Sequence, residues 1–188
     1  MIPLRVKLKG FLCYKDEQEV SFDGSSLWML SGLNGSGKSS IFDAVTYALF
    51  GHHRGGSTGA AELINKKSDN LEVEFDFLQE GQGYRVHRTL RRKAKGGTSS
   101  TQQVYRRFSS DGNGKHGWEA IPDTTKRVDF DRWVRENIGL SYDTFTSSVL
   151  LLQGKAEKLL DSAAKGRFEV LAGIVDLDRF RQLAERSD

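Results

Sequence analysis

The chain has 188 residues, with 28 Lys and Arg against 25 Asp and Glu, a net charge of +3 and a single cysteine, Cys13. That length can bury a core without covalent staples, and one cysteine excludes an internal disulfide, so a reducing cytoplasm is the expected setting. No uninterrupted apolar run approaches the roughly 20 residues of a membrane span, no secretory leader is evident, and so small a net charge names no partner.

Residues 4–11, LRVKLKGF, alternate apolar and basic, the pattern of a strand with one exposed face. EVSF at 19–22 reads as a short second strand, followed by a turn at DGSS. LWML at 27–30 is apolar throughout and predicts a buried strand. It runs into a glycine loop, and SSIFDAVTYALF then predicts a helix stopped by Gly51. Residues 52–70 read as loop, with a short turn at AAELI. LEVEFDFL, GYRVHRTLRR and QQVYRRFSS predict three strands of an antiparallel meander, the last two joined by a flexible KAKGGTSST. Phe130, Trp133, Val134 and Ile138 recur at helical spacing. An apolar run then ends in Gln153, and the remainder is helical in pattern, with breaks near Gly166 and Gly173.

GLNGSGKS at 32–39 fits G-x-x-x-x-G-K-[ST] at every fixed position. A loop wrapped around phosphates must point several backbone N–H groups inward, and Gly32, Gly35 and Gly37 permit the dihedrals and the close approach. The loop ends at a helix N-terminus, whose dipole favours an anion. The nucleotide-binding set is Asn34, Gly35, Ser36, Gly37, Lys38, Ser39 and Ser40. Lys38 is placed to reach the β and γ phosphates. The Ser39 hydroxyl suits Mg²⁺, a hard ion that takes oxygen ligands. ATP and Mg²⁺ are the expected cofactors.

Gln153 alone would be an ordinary surface residue. In company it is not. LKGFLCYKDEQEVSFDG, GLNGSGKSSIFDAVTYALFG, LINKKSDNLEVEFDF, YRVHRTLRR and LSYDTFTSSVLLLQGKAEKLLDSAAKGRFEVLAGIVDLDRF, in this order, resemble the ATPase family of chromosome-maintenance (SMC) and double-strand-break repair proteins, in particular the SbcC-type repair ATPase. The resemblance implies an α/β fold of the P-loop NTPase type. It would be the N-lobe of an ABC-type ATPase head, with an antiparallel meander beside a partial nucleotide-binding core and a helical coiled-coil stub. The lobe would span residues 1–165 and the lead-out 166–188. The resemblance also gives Gln153 a role: to touch Mg²⁺ and the attacking water, and so to act in catalysis with Lys38. The implied partners are a C-terminal lobe of the same chain, a second copy of the head in a homodimer, a metal-dependent nuclease subunit and double-stranded DNA. The sequence departs from the family pattern at Leu12, where the repair ATPases often carry an arginine beside the nucleotide, and at Ala156, where a large apolar residue is usual. Adenine contacts near Leu63 are thereby left open. Arg54 falls where chromosome-maintenance relatives place a DNA-sensing arginine.

An ATPase of this class also needs an acidic pair after four apolar residues, to hold Mg²⁺ and orient water. No such segment is present, and the acids of EVEFDF alternate so as to face away from the site. The Ser-Gly-Gly signature is absent too. In the family both lie in a second lobe beyond a long coiled coil, so the natural product is expected to continue past Asp188. Between Arg85 and Arg107 stand eight Arg or Lys and no acid. A solvated strand face is the plain reading, and a DNA phosphate track through Arg88, Arg91, Arg92 and Lys93 is the functional one. His52, His53, His87 and His116 show no metal-ligand spacing, and Trp28, Trp118 and Trp133 read as packing residues. Three other readings share the loop. A P-loop small-molecule kinase would need an acidic catalytic residue to accompany RRKAKGG as a lid. A non-nuclease SMC/RecF-like scaffold ATPase would use ATP only to lock two heads. The third is the nucleotide-binding half of a membrane transporter.

Overall fold

The computed structural model describes residues 1–22, 24–53, 60–109 and 116–150. In chain order these form β1 (Ile2–Lys9), β2 (Gln18–Ser21), α1 (Lys38–Phe50), α2 (Ala60–Leu63), β3 (Asn70–Gln79), β4 (Gln82–Arg92), β5 (Thr98–Ser109), β6 (His116–Ala120), α3 (Arg127–Ile138) and α4 (Tyr142–Ser148). The strands make one antiparallel sheet in the order β2-β1-β3-β4-β5-β6. The chain divides into two units, Met1–Val134 and Arg135–Asp188. The sheet, α1 and α2 belong to the first. In the second, α4 is capped by the Ser141 side chain, which accepts the Thr144 N–H at 3.1 Å.

Strict alternation on β3 produces the two faces of the sheet. Leu71, Val73, Phe75 and Phe77 are fully buried, as are Val6 and Leu8 of β1 and Val86 and Leu90 of β4. Helix α1 packs on this side and contributes Ile41, Ala44, Val45, Ala48 and Leu49 to the core. Phe75 and Phe77 stack with ring centroids 5.1 Å apart. Each such ring stabilises the fold by roughly 1.5–3 kcal/mol through burial. The acids between them, Glu72, Glu74 and Asp76, project from the opposite face. There Arg5 donates to Glu19 at 2.9 Å, to Glu74 at 2.5 Å and to Asp76 at 2.9 Å, so one guanidinium ties β2, β1 and β3 together. Arg85 of β4 completes the cluster with bonds of 2.7 and 2.8 Å to Asp76, and its guanidinium carbon lies 4.3 Å from the Trp118 ring centre.

Three elements differ from expectation. Strand β5 starts at Thr98, so the β4–β5 hairpin is only residues 93–97, turned by Gly96 and Gly97 at φ 89° and 80°. Strand β6, His116–Ala120, is additional and pairs with the far end of β5. LWML is not a buried strand. Residues 27–30 have no regular structure, and Leu27, Trp28, Met29 and Leu30 are 85%, 51%, 89% and 42% exposed. Trp28 meets Phe22 edge-on at 6.2 Å and donates its indole N–H to the Ser25 carbonyl at 3.1 Å, and at 51% exposed it is not part of the core among the described residues. A fully apolar strand needs neighbours on both edges and both faces, and no described strand pairs with this segment.

Candidate nucleotide-binding site

Helix α1 begins directly on the glycine loop. Its N-cap is Gly37, at φ 93°, with no side-chain capping bond and no acid in the first turn. The start of the helix therefore has no side-chain cap, the arrangement that takes an anion. Gly35 also lies in the left-handed region, at φ 81°. Gly37 is needed twice over, for its dihedral and because a Cβ there would stand 2.5 Å from Cys13 Sγ and 2.9 Å from the Tyr14 hydroxyl. The turn after β1 thus presses on the loop, a contact that motif spacing does not reveal. Burial raises the Tyr14 phenol above its ordinary pKa.

Lys38 folds its ammonium back into the loop and donates to the Gly32 carbonyl at 2.5 Å and to the Leu33 carbonyl at 2.8 Å. A cation at the loop's centre, a row of glycine-permitted N–H groups and the exposed Ser39 hydroxyl one residue into α1 form a donor set that fits a polyphosphate and a hard cation. Asn34, Gly35 and Ser36 are exposed on the loop, and Ser40 is half-buried, its N–H bonded to the Gly37 carbonyl at 2.8 Å. The structure brings this set together on one loop and one helical turn. Gln153, the second expected catalytic residue, lies outside the described residues, as do Ala156 and Arg54.

Elsewhere the expected residues scatter. Leu12 adopts a left-handed φ of 50°, held by its N–H bond to the Leu63 carbonyl at 2.7 Å and by Asn65 Nδ2 on its own carbonyl at 2.6 Å. Leu63 is fully buried and serves the core. Of the basic track, Arg91, Arg92 and Lys93 are exposed at the end of β4, and Arg92 also donates to the Ile64 carbonyl at 3.2 Å. Arg88 does not share their surface. It sits on the α1 side of the sheet, 7% exposed, because alternation turns it inward with Val86 and Leu90. His87, which linear spacing does not mark, has ligand atoms of Glu72 and Glu74 within 4.8 Å, since β3–β4 pairing sets Glu74 opposite it. His87 Nε2 lies 2.8 Å from Glu72, and Glu74 is already engaged by Arg5, so these ligand atoms already have partners within the protein.

The family model described as an AAA domain matches residues 5–187. The chain belongs to the AAA domain family. It is 31% identical over 191 residues to the probable DNA double-strand break repair Rad50 ATPase of Aquifex aeolicus, covering 100% of this chain and 18% of that protein. It is 34% identical over 184 residues to the SbcC component of nuclease SbcCD from Deinococcus radiodurans, covering 97% of this chain and 19% of that protein. The chain thus spans about a fifth of the length of these relatives. The SMC head domain from Thermotoga maritima overlaps 62% of this chain and 39% of its own at a TM-score of 0.39 and 22% identity, too partial a likeness to carry an argument.

Among the described residues no helix is long and apolar enough to cross a membrane.

Proposed function

We propose that this AAA domain is the nucleotide-gripping part of an ATPase head that acts in DNA double-strand-break repair. The observation that carries the reading is the uncapped start of α1 behind a loop of positive-φ glycines, with Lys38 directed into the loop. The loop N–H groups from Asn34 to Ser40 and the Lys38 ammonium would bind the phosphates of ATP. Ser39 would supply one oxygen to Mg²⁺, which neutralises charge on the transferred phosphoryl group. Gln153 takes the family's role of metal contact and water positioning. Residues 1–165 would act as the N-terminal lobe and 166–188 as the lead-out toward a coiled coil.

Hydrolysis on this reading needs a C-terminal lobe with the acidic pair, and a second head to close over the γ-phosphate. The whole protein would be a cytoplasmic homodimer that binds double-stranded DNA and regulates a metal-dependent nuclease subunit. The relatives' names, a double-strand break repair ATPase and a nuclease subunit, support the repair and nuclease parts of this reading. The exposed apolar segment at 27–33 also supports it, since it has the composition of a strand with no described neighbour. Arg91, Arg92 and Lys93 would contact the DNA backbone. The test is reconstitution. Adding the C-terminal lobe of the natural product should raise ATP turnover from background, and Gln153→Ala should then lower turnover while ATP is still retained. No gain on adding the lobe, or a Gln153→Ala protein as fast as wild type, would remove the reading.

A further inference from the structure

Arg88 and the cavity beside it are used by none of the chemistry above. Arg88 is 7% exposed, and its Nε donates to the Ala48 carbonyl at 3.2 Å. The Phe130 and Tyr47 rings lie 4.7 and 5.5 Å from its guanidinium carbon. Its Nη2 is buried with no partner, and Arg88 makes no ion pair among the described residues. A buried guanidinium left with an unanswered donor is costly, and such groups are normally matched by an oxyanion or a carbonyl. Arg88 lines a cavity of about 140 Å³ at the C-terminal end of α1, with His52, Thr98, Ser100, Arg127 and Asp131 among the other lining residues. A 13-residue helix is about 20 Å long, so this cavity is remote from the glycine loop at the other end of α1.

We propose that this cavity is a binding site for a phosphate group. Arg88 brings a charged, planar guanidinium to the wall of this cavity, its Nε held by Ala48 and its Nη2 unpartnered among the described residues, and such a group suits an oxyanion. Thr98 and Ser100 of β5 and Arg127 of α3 also line it, so hydroxyls and a second guanidinium are available from other elements to a tetrahedral oxyanion. Two features oppose an anion: the carbonyl end of α1 and the Asp131 carboxylate. The first is partly answered by the Arg88 bond to Ala48, and the second by Arg127, 3.6 Å from Asp131. The site stands whether or not the head hydrolyses ATP.

The test titrates inorganic phosphate against chloride at constant ionic strength, in a Lys38→Ala background that silences the glycine loop. The readouts are the NMR signals of Arg88 Nε–H and of the Thr98 and Ser100 amides. Phosphate should shift them saturably and chloride should not. Arg88→Lys should weaken the response at least about tenfold, because the fork is lost while the charge stays. Should that variant unfold, Ser100→Glu serves, since it places a carboxylate at an exposed position in the mouth and should abolish the response with the fold intact. A short DNA duplex that displaces phosphate would identify the ligand as a backbone phosphate, and one that does not would identify a free phosphate or small phosphate ester. Linear shifts equal to those with chloride, or saturation unchanged in the folded variants, would show that the cavity holds only water and overturn the proposal, even if the chain binds ATP and DNA.

Discussion

The exposed segment ahead of the glycine loop sets up a quantitative expectation. Leu27, Trp28, Met29, Leu30 and Leu33 are 85%, 51%, 89%, 42% and 85% exposed, equivalent to about three and a half large side chains in full contact with water. At roughly 1.5–3 kcal/mol per buried side chain, covering them would release about 5–10 kcal/mol. Association costs an estimated 4–15 kcal/mol in lost freedom and ordering, so copies of the chain should pair weakly, with dissociation constants in the high micromolar range or above. Leu27→Asp combined with Met29→Asp should keep the chain monomeric. Both side chains are almost wholly exposed, so the melting temperature should move by no more than about 2 °C. Sedimentation over a concentration series measures the first effect, and Trp28 emission, which should shift to the blue on association, reports it locally. Tight pairing at low micromolar concentration, or self-association unchanged by the two aspartates, would refute the reasoning. So would a doubly substituted chain that melts many degrees lower, since these side chains would then belong to the folded core.

Gly37→Ala should remove nucleotide binding and lower the melting temperature. A left-handed alanine costs about 1–2 kcal/mol, or roughly 2–8 °C for a chain this size, before the clash with Cys13 is counted. Unchanged melting and affinity would mean that the loop does not hold this conformation. Reversing Arg91, Arg92 and Lys93 to glutamate should weaken DNA binding equally across sequences. It should also flatten the slope of log affinity against log salt by up to about 2.7, at roughly 0.9 for each phosphate no longer neutralised. An unchanged slope would leave the basic end of β4 as a solvated surface.

Much of the fold was legible because the sheet obeys a period of two. The alternation of LEVEFDFL and YRVHRTLRR places Phe75, Phe77 and Val86 on the α1 face and Asp76 and Arg85 on the other, where the two bond to each other. The same period put Arg88 beside Val86 and Leu90, yet its charge drew it into the expected DNA track. A charged residue on an apolar face is read more safely from the face than from the charge. Apolar content misled at LWML, because it reports that a segment needs cover without reporting where the cover comes from. Strand β6 was missed because HGWEA is short and does not alternate. Of the site, the loop and Lys38 could be read from spacing alone. The pressure of Cys13 and Tyr14 on Gly37 could not, since it depends on how the turn after β1 returns past the loop. The approach of His87 to Glu72 and Glu74 depends likewise on register between strands.

The central proposal is that this chain holds ATP through Lys38 and needs a further lobe to hydrolyse it. A single-turnover experiment, with the 188-residue chain in excess over labelled ATP and Mg²⁺, measures retention and cleavage in one sample. The account predicts retained, intact ATP, and no retention by a Lys38→Ala chain whose circular dichroism is unchanged. Loss of the lysine removes a charge-assisted bond worth about 1.5–3 kcal/mol, or roughly 10- to 150-fold in affinity. Rapid release of ADP and phosphate that disappears in Lys38→Ala would show a complete catalytic site, and retention indifferent to Lys38 would show that the glycine loop is not the grip.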